Sequence, residues 1–218
     1  MGLNIQGPNL KKMLIAEMDK TGTQNGLGDL GRCVSSRTLQ DIFSTKNLRP
    51  HLKLVFGYWP VIHEVELDRL VSLIQNNGNK LHAILILLDR PQMVRELLLS
   101  STHEVNDRVL FGMDEQGYHE ICSEDKLKSI PQLIDIAEEF YIMQWHFPPM
   151  LYSEQGIQFF DLQHFKMPFT SKPSDLGKGS YGSVYATEID EEYLRPSQGA
   201  KVCVRILGLD RLQPSSHT

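Results

Sequence analysis

Gly177-Lys178-Gly179-Ser180-Tyr181-Gly182-Ser183-Val184 spaces three glycines and a valine as G-x-G-x-x-G-x-V, and its flanks decide which fold that pattern belongs to. A loop without Cβ atoms brings backbone N–H groups close to phosphate oxygens and adopts φ > 0 where a turn demands it. A dinucleotide-binding turn needs an apolar strand before it and a helix opening inside it. Lys172-Pro173-Ser174-Asp175 is too polar and proline-bearing for a central parallel strand, while Ser183-Val184-Tyr185-Ala186-Thr187-Glu188-Ile189 alternates with β-branched residues. Strand, glycine loop, strand is therefore the predicted arrangement.

Further out, Val202-Cys203-Val204-Arg205-Ile206-Leu207 predicts a third strand, and period-two geometry puts Cys203 and Arg205 on one of its faces. Asp190, Glu191 and Glu192, followed by Pro196, Ser197 and Gly199, read as an enlarged solvated hairpin between the strands rather than a metal site. Upstream, Phe147-Pro148-Pro149 breaks the preceding helix, and the aromatic stretch to Pro173 lacks a clear period, so it reads as a tethering linker. Trp145, His146 and Phe147 are expected to anchor that linker in a hydrophobic groove.

Before Trp145 the periodicity is helical. Leu10, Met13, Leu14 and Met18 mark a first helix stopped by Thr21-Gly22, and Ser36 is placed to cap a second over Arg37 to Lys46. Leu52 to Phe56 with Tyr58-Trp59-Pro60 reads as an apolar knot. Val61 to Ile74 is a helix ended by Asn77-Gly78, and Leu81 to Leu88, interrupted by His82, is a buried helix or strand. Asp89-Arg90-Pro91 opens another helix through Met93, Val94, Leu97 and Leu98, and a last long one is predicted from near Ser129 to Met143.

Composition sets outer bounds. The chain has 218 residues, 41% hydrophobic and 22% charged, inside the range of ordinary globular proteins. Its apolar runs fall far short of the roughly 20 residues a spanning helix needs, so no membrane span is expected. Residues 61 to 170 carry 8 basic and 17 acidic side chains, an acidic body that argues against a nucleic-acid partner. Cys33, Cys122 and Cys203 are odd in number and far apart, consistent with reduced thiols in the cytoplasm or nucleus. None of the eight histidines falls in a metal-binding spacing, His103 and His119 read as surface residues, and the adjacent Glu138 and Glu139 do not form a catalytic pair.

The segment from Leu176 to Leu207 resembles the start of the eukaryotic protein-kinase domain, with Val202 to Leu207 similar to V-A-I-K-x-L. Leu81 to Leu88, Phe140 to Trp145 and Met167-Pro168-Phe169 resemble the helical leader and linker of kinase-domain proteins common in filamentous fungi. The resemblance implies an α+β fold: a mainly α-helical N-terminal region over 1–147, a linker over 148–170 and a partial antiparallel β kinase small lobe over 171–218. It implies ATP contacts at Gly177, Lys178, Gly179, Gly182, Val184, Cys203 and Arg205, with Mg only alongside ATP. Val184 would cover the adenine, Cys203 would line the pocket, and Arg205 stands where the family has its lysine. Arginine's planar fork does not reproduce a compact ammonium there.

A kinase also needs a helix glutamate, a catalytic-loop aspartate and a metal-binding aspartate, all of which would lie past Thr218. No catalytic residue is therefore assigned. The expectation is a truncated or degenerate kinase-like protein, a pseudokinase with a weak or vestigial ATP loop. The alternative is a helical interaction or scaffold protein with an inert kinase remnant, using the helical leader to bind a protein partner.

Overall fold

The computed structural model describes residues 8–25, 31–57, 63–100, 105–112, 121–148, 166, 168–169, 174–179, 182–186, 193 and 206–207. Among these, nine α-helices appear in chain order: α1 (Leu10–Asn25), α2 (Ser36–Ile42), α3 (Thr45–Phe56), α4 (Glu64–Asn77), α5 (Asn79–Leu87), α6 (Met93–Leu99), α7 (Asp107–Phe111), α8 (Glu124–Lys128) and α9 (Ala137–Met143). Short 3-10 turns at Ile134–Ile136 and Gln144–His146 flank α9.

α5 is the axis of the body. Its sequence, NKLHAILIL, is apolar on every side, and all residues from Lys80 to Leu87 are buried. A helix without a polar face must be surrounded, and α1, α2, α4, α6, α7 and α9 all pack against it. The surrounding helices are amphipathic and turn their stripes inward: Leu10 and Leu14 from α1, Leu67, Leu70, Val71 and Ile74 from α4, and Val94, Leu97 and Leu98 from α6. Gly78 lets α4 turn directly into α5, because a Cβ there would stand 3.0 Å from the Leu98 side chain and 3.3 Å from the Ile74 backbone.

At its other end α5 stops in a Schellman arrangement: Arg90 N–H donates to the Leu85 carbonyl at 2.8 Å and Asp89 N–H to Ile86 at 3.2 Å. Asp89 occupies the left-handed position that arrangement requires, with φ 59°.

Several sequence expectations shift. α1 continues through Gly22 to Asn25, with Thr21 Oγ1 donating both to the Glu17 carbonyl and across to the Cys33 carbonyl, each at 3.0 Å. The second helix is capped by Ser35, not Ser36, and ends at Ile42. The Leu52 to Phe56 part of the expected apolar knot belongs to α3, which runs through Pro50 because Leu48, Leu52 and Phe56 bury one stripe of it, while Tyr58-Trp59-Pro60 lie outside the described residues. The last long helix is cut to α9 with its flanking 3-10 turns. The α4 and α6 positions stand as read, and α5 resolves as helix.

The expected fold class, α+β with a partial antiparallel kinase small lobe, is overturned: the fold is helical. The core cluster extends from Leu10 to Phe147 and takes no described residue from 171–218. What the backbone shows there is a hairpin of β1 (Ser174–Gly179) and β2 (Gly182–Ala186) with a two-residue strip, β3 (Ile206–Leu207), along β2. A hairpin with one two-residue strip is far less than a small lobe, and an isolated hairpin is marginal in water. It is not a lobe.

Candidate functional site

Of the residues singled out for nucleotide contact, Gly177, Lys178, Gly179, Gly182 and Val184 lie on the hairpin, while Cys203 and Arg205 fall outside the described residues. The antiparallel register pairs Gly177 with Val184, Lys178 with Ser183 and Gly179 with Gly182, and it shifts between Asp175 and Gly177. β3 adds Leu207 opposite Val184 and Ile206 opposite Tyr185. The acidic run Asp190 to Glu192, Val202, Lys201, His103 and His119 also lie outside the described residues.

The helical body holds a polar centre that sequence reasoning missed. Asp107, the first residue of α7, is buried, and its carboxylate accepts from Lys80 N–H at 2.9 Å and Leu81 N–H at 2.8 Å. These are the open donors of the α5 N-terminus, where Gly78 has no side chain to offer. α7 is set in turn by its own caps: Asn106 Oδ1 accepts from Val109 N–H at 3.0 Å, and Lys126 Nζ donates to the Val109 and Leu110 carbonyls at the other end.

Lys80 shares this centre. Its ammonium sits 4.1 Å from the Phe111 ring centroid and makes no hydrogen bond. Burial pushes it down to about 7, against the opposing pull of the Asp107 charge. Burial pushes the Asp107 carboxyl up to about 6, with the backbone donors and Lys80 working the other way. A lysine and an aspartate are thus buried with affinities for protons only slightly apart.

A second pair lies two residues along α5. His82 is completely buried, with Phe43 and His51 rings 5.5 Å and 5.6 Å away, and neither of its nitrogens has a hydrogen-bond partner. Burial holds it well below the ordinary histidine range, with repulsion from His51 adding to the effect. Burial also lowers His51 to about 4. Both imidazoles are neutral at physiological pH.

Near the end of the body, Gln144 closes a two-way amide contact: its Oε1 accepts from Cys122 N–H at 2.9 Å and its Nε2 donates to the Cys122 carbonyl at 2.8 Å. Trp145 and Phe147 are buried, and Lys166 N–H donates to the Trp145 carbonyl at 3.3 Å, so the expected anchor is seated. Cys33 and Cys122 are both buried. Glu138 and Glu139 are exposed side chains in the first turn of α9.

The signal that could have found the centre was present. Lys80 and His82 are the two polar residues inside the most apolar helix of the chain, and a buried cation or imidazole requires a partner or a neutral form. Asp107 carries no local mark. No family model, curated protein or solved structure matches the chain. Among the described residues, no helix is long and apolar enough to cross a membrane.

Proposed function

We propose that this chain acts by binding, as a helical interaction module, rather than by catalysis. The observation that carries this reading is how the ionisable groups of the body are used. Lys80, His82 and Asp107 are each enclosed and committed to contacts between helices. A catalytic group must meet its substrate; these meet other helices. Meanwhile Val65 on α4, 82% exposed, and Ile134 and Ile142 around α9 stand out from the body. Single exposed aliphatic side chains are ordinary on a globular surface, and these three supply the positions at which a covering partner is tested.

The experiment places a photoreactive benzophenone residue at position 65, 134 or 142, with exposed Gln40 as the control position, and irradiates the chain in its native extract. Discrete adducts at the apolar positions and none at 40 support the reading. Adducts at all four positions, or at none, overturn it.

A second reading keeps ATP at the glycine hairpin, favoured by the pairing of Gly179 with Gly182 and Gly177 with Val184. With backbone N–H contacts from one loop as the main source of affinity, the dissociation constant is expected on the order of 1 mM or weaker, equivalent to about 4 kcal/mol or less. Mg-ATP titration against a Gly177→Val, Gly179→Val variant tests it: binding that the variant abolishes supports the hairpin, and binding that survives places the nucleotide elsewhere. No incorporation of radiolabelled phosphate is expected.

A further inference from the structure

α3 is held on two sides by different chemistry. On the outside Arg49 pairs with Glu64 and Asp68 of α4, and Lys53 Nζ reaches Glu64 Oε1 at 2.7 Å. On the inside, beside the apolar stripe of Leu48, Leu52 and Phe56, His51 lies edge-on to His82 of α5, with its Nε2 buried and unpaired. Pro50 removes one backbone donor from the middle of the helix.

The other neighbours of α3 supply no charge to the inner contact. α1 turns Leu10 and Leu14 inward, pairs Lys11 with Asp89, Lys20 with Glu17 and Asp19 with Arg32, and leaves Lys12 exposed. The residue after α2 contributes the Phe43 ring. Glu66 of α4 is engaged with Arg95 of α6. Lys80 of α5 stands over Phe111 of α7. An imidazolium formed at His82 would therefore meet the His51 imidazole and the Phe43 ring, and one formed at His51 would meet the His82 imidazole, with no carboxylate paired to either ring among the described residues.

We propose that α3 is an acid-released element of the helical body, with the His51–His82 contact as its trigger and the ionic clip to α4 as the tether that stays closed. Opening α3 gives both imidazoles to water, where each takes up a proton that the closed form refuses. Proton uptake on opening shifts the equilibrium toward the open form as pH falls. The closed form holds His51 to about 4 against an ordinary 6.5, so acidification across that window favours opening. Glu64, held below its ordinary range first by the Lys53 hydrogen bond, stays charged in the upper part of that window and keeps the tether. The open state uncovers the side of His82 that His51 covers.

Hydrogen exchange of the full chain at pH 7 and pH 5, with exchange times scaled to the intrinsic rate, tests this. The α3 opening constant is expected to rise about twentyfold from His51 alone, while α8 and α9 amides keep their protection. Unchanged α3 protection at pH 5, or α8 and α9 opening in step with α3, overturns the proposal. His51→Phe is expected to cut the α3 response by about the twentyfold that His51 supplies, leaving that of His82, and a response equal to that of the unaltered chain also overturns the proposal. If that variant does not fold at pH 7, an NMR titration of the unaltered chain decides: either imidazole titrating near 6.5 in the closed form refutes the trigger, and both staying neutral to pH 5 supports it.

Discussion

Asp107 caps a helix to which it does not belong. Its two carboxylate oxygens accept from the N–H groups of Lys80 and Leu81 at 2.9 Å and 2.8 Å, 27 and 26 residues earlier in the chain. α4 turns into α5 at a glycine, so the N-terminus of the most buried helix receives its acceptor from α7. This one side chain fixes the central helix to a five-residue helix too short to be stable alone.

Asp107→Ala is expected to cost about 3–5 kcal/mol, because it leaves enclosed N–H groups without an acceptor and the buried Lys80 without its nearby opposite charge. Asp107→Asn keeps one carbonyl oxygen and is expected to cost less, about 1–3 kcal/mol. Urea denaturation gives both values, and amide exchange at Lys80 and Leu81 reports the local loss. An alanine variant within about 1 kcal/mol of the unaltered chain would show that the cap is dispensable.

Lys80 and Asp107 give opposite pH dependences. The unfolded chain keeps the lysine proton up to its ordinary 10.5, while the folded chain releases it near 7, so stability rises with pH between those values. Folded Asp107 keeps its proton to about 6 and the unfolded chain only to about 3.8, so this contribution falls as pH rises through that lower window. Lys80→Met removes the upper limb. The unaltered chain should gain stability at up to about 1.4 kcal/mol per pH unit from pH 7 toward 10 relative to the variant. Urea midpoints at pH 7, 8.5 and 10 check this, and parallel curves for the two chains would refute it.

How far the sequence could be read follows from which forces are local. Leu67, Leu70, Val71 and Ile74 repeat at helical spacing before Asn77-Gly78, and α4 lies where they place it. α5 has no period because it has no polar face, which is why helix and strand stayed open for it. α7 and α8 have five residues each and are held by Asn106 and Ser123 caps, too little length for a period. The periodicity runs the second helix to Lys46 and shows no third helix after it, yet the chain turns at Phe43-Ser44 and lets the Leu48, Leu52 and Phe56 stripe outweigh Pro50. The glycine motif misled on fold class for a related reason: it specifies a local pairing, whereas fold class follows where apolar area is buried. The polar centre was hidden because Asp107 meets α5 only through tertiary packing.

Gln144→Leu should lose about 2–4 kcal/mol, since the backbone N–H and carbonyl of Cys122 would both be left enclosed and unpaired. Gln144→Glu keeps the acceptor for Cys122 N–H but turns a charged oxygen toward the Cys122 carbonyl. It is expected to be the weaker chain at pH 7 and to recover part of the loss toward pH 5, where the protonated carboxyl donates to that carbonyl as the amide does. Thermal denaturation at both pH values separates the outcomes. Equal losses at the two would mean that amide size matters more than its hydrogen bonds.

Asp89→Gly is expected to hold stability or raise it by up to about 1 kcal/mol, because glycine adopts the left-handed conformation without the Cβ penalty. The backbone bonds from Asp89 and Arg90 to Ile86 and Leu85 need no side chain and remain. Against that gain stands the Lys11–Asp89 pair at 2.6 Å, whose carboxylate is largely exposed. An exposed pair of this kind contributes about 0–1 kcal/mol and weakens with salt. The balance should therefore move with ionic strength: near zero in dilute buffer and clearly stabilising in about 1 M salt, where screening removes the pair but leaves the backbone preference. Urea midpoints at the two salt levels measure it. A glycine chain less stable at both would show that Asp89 holds α1 to the end of α5 by more than its charge.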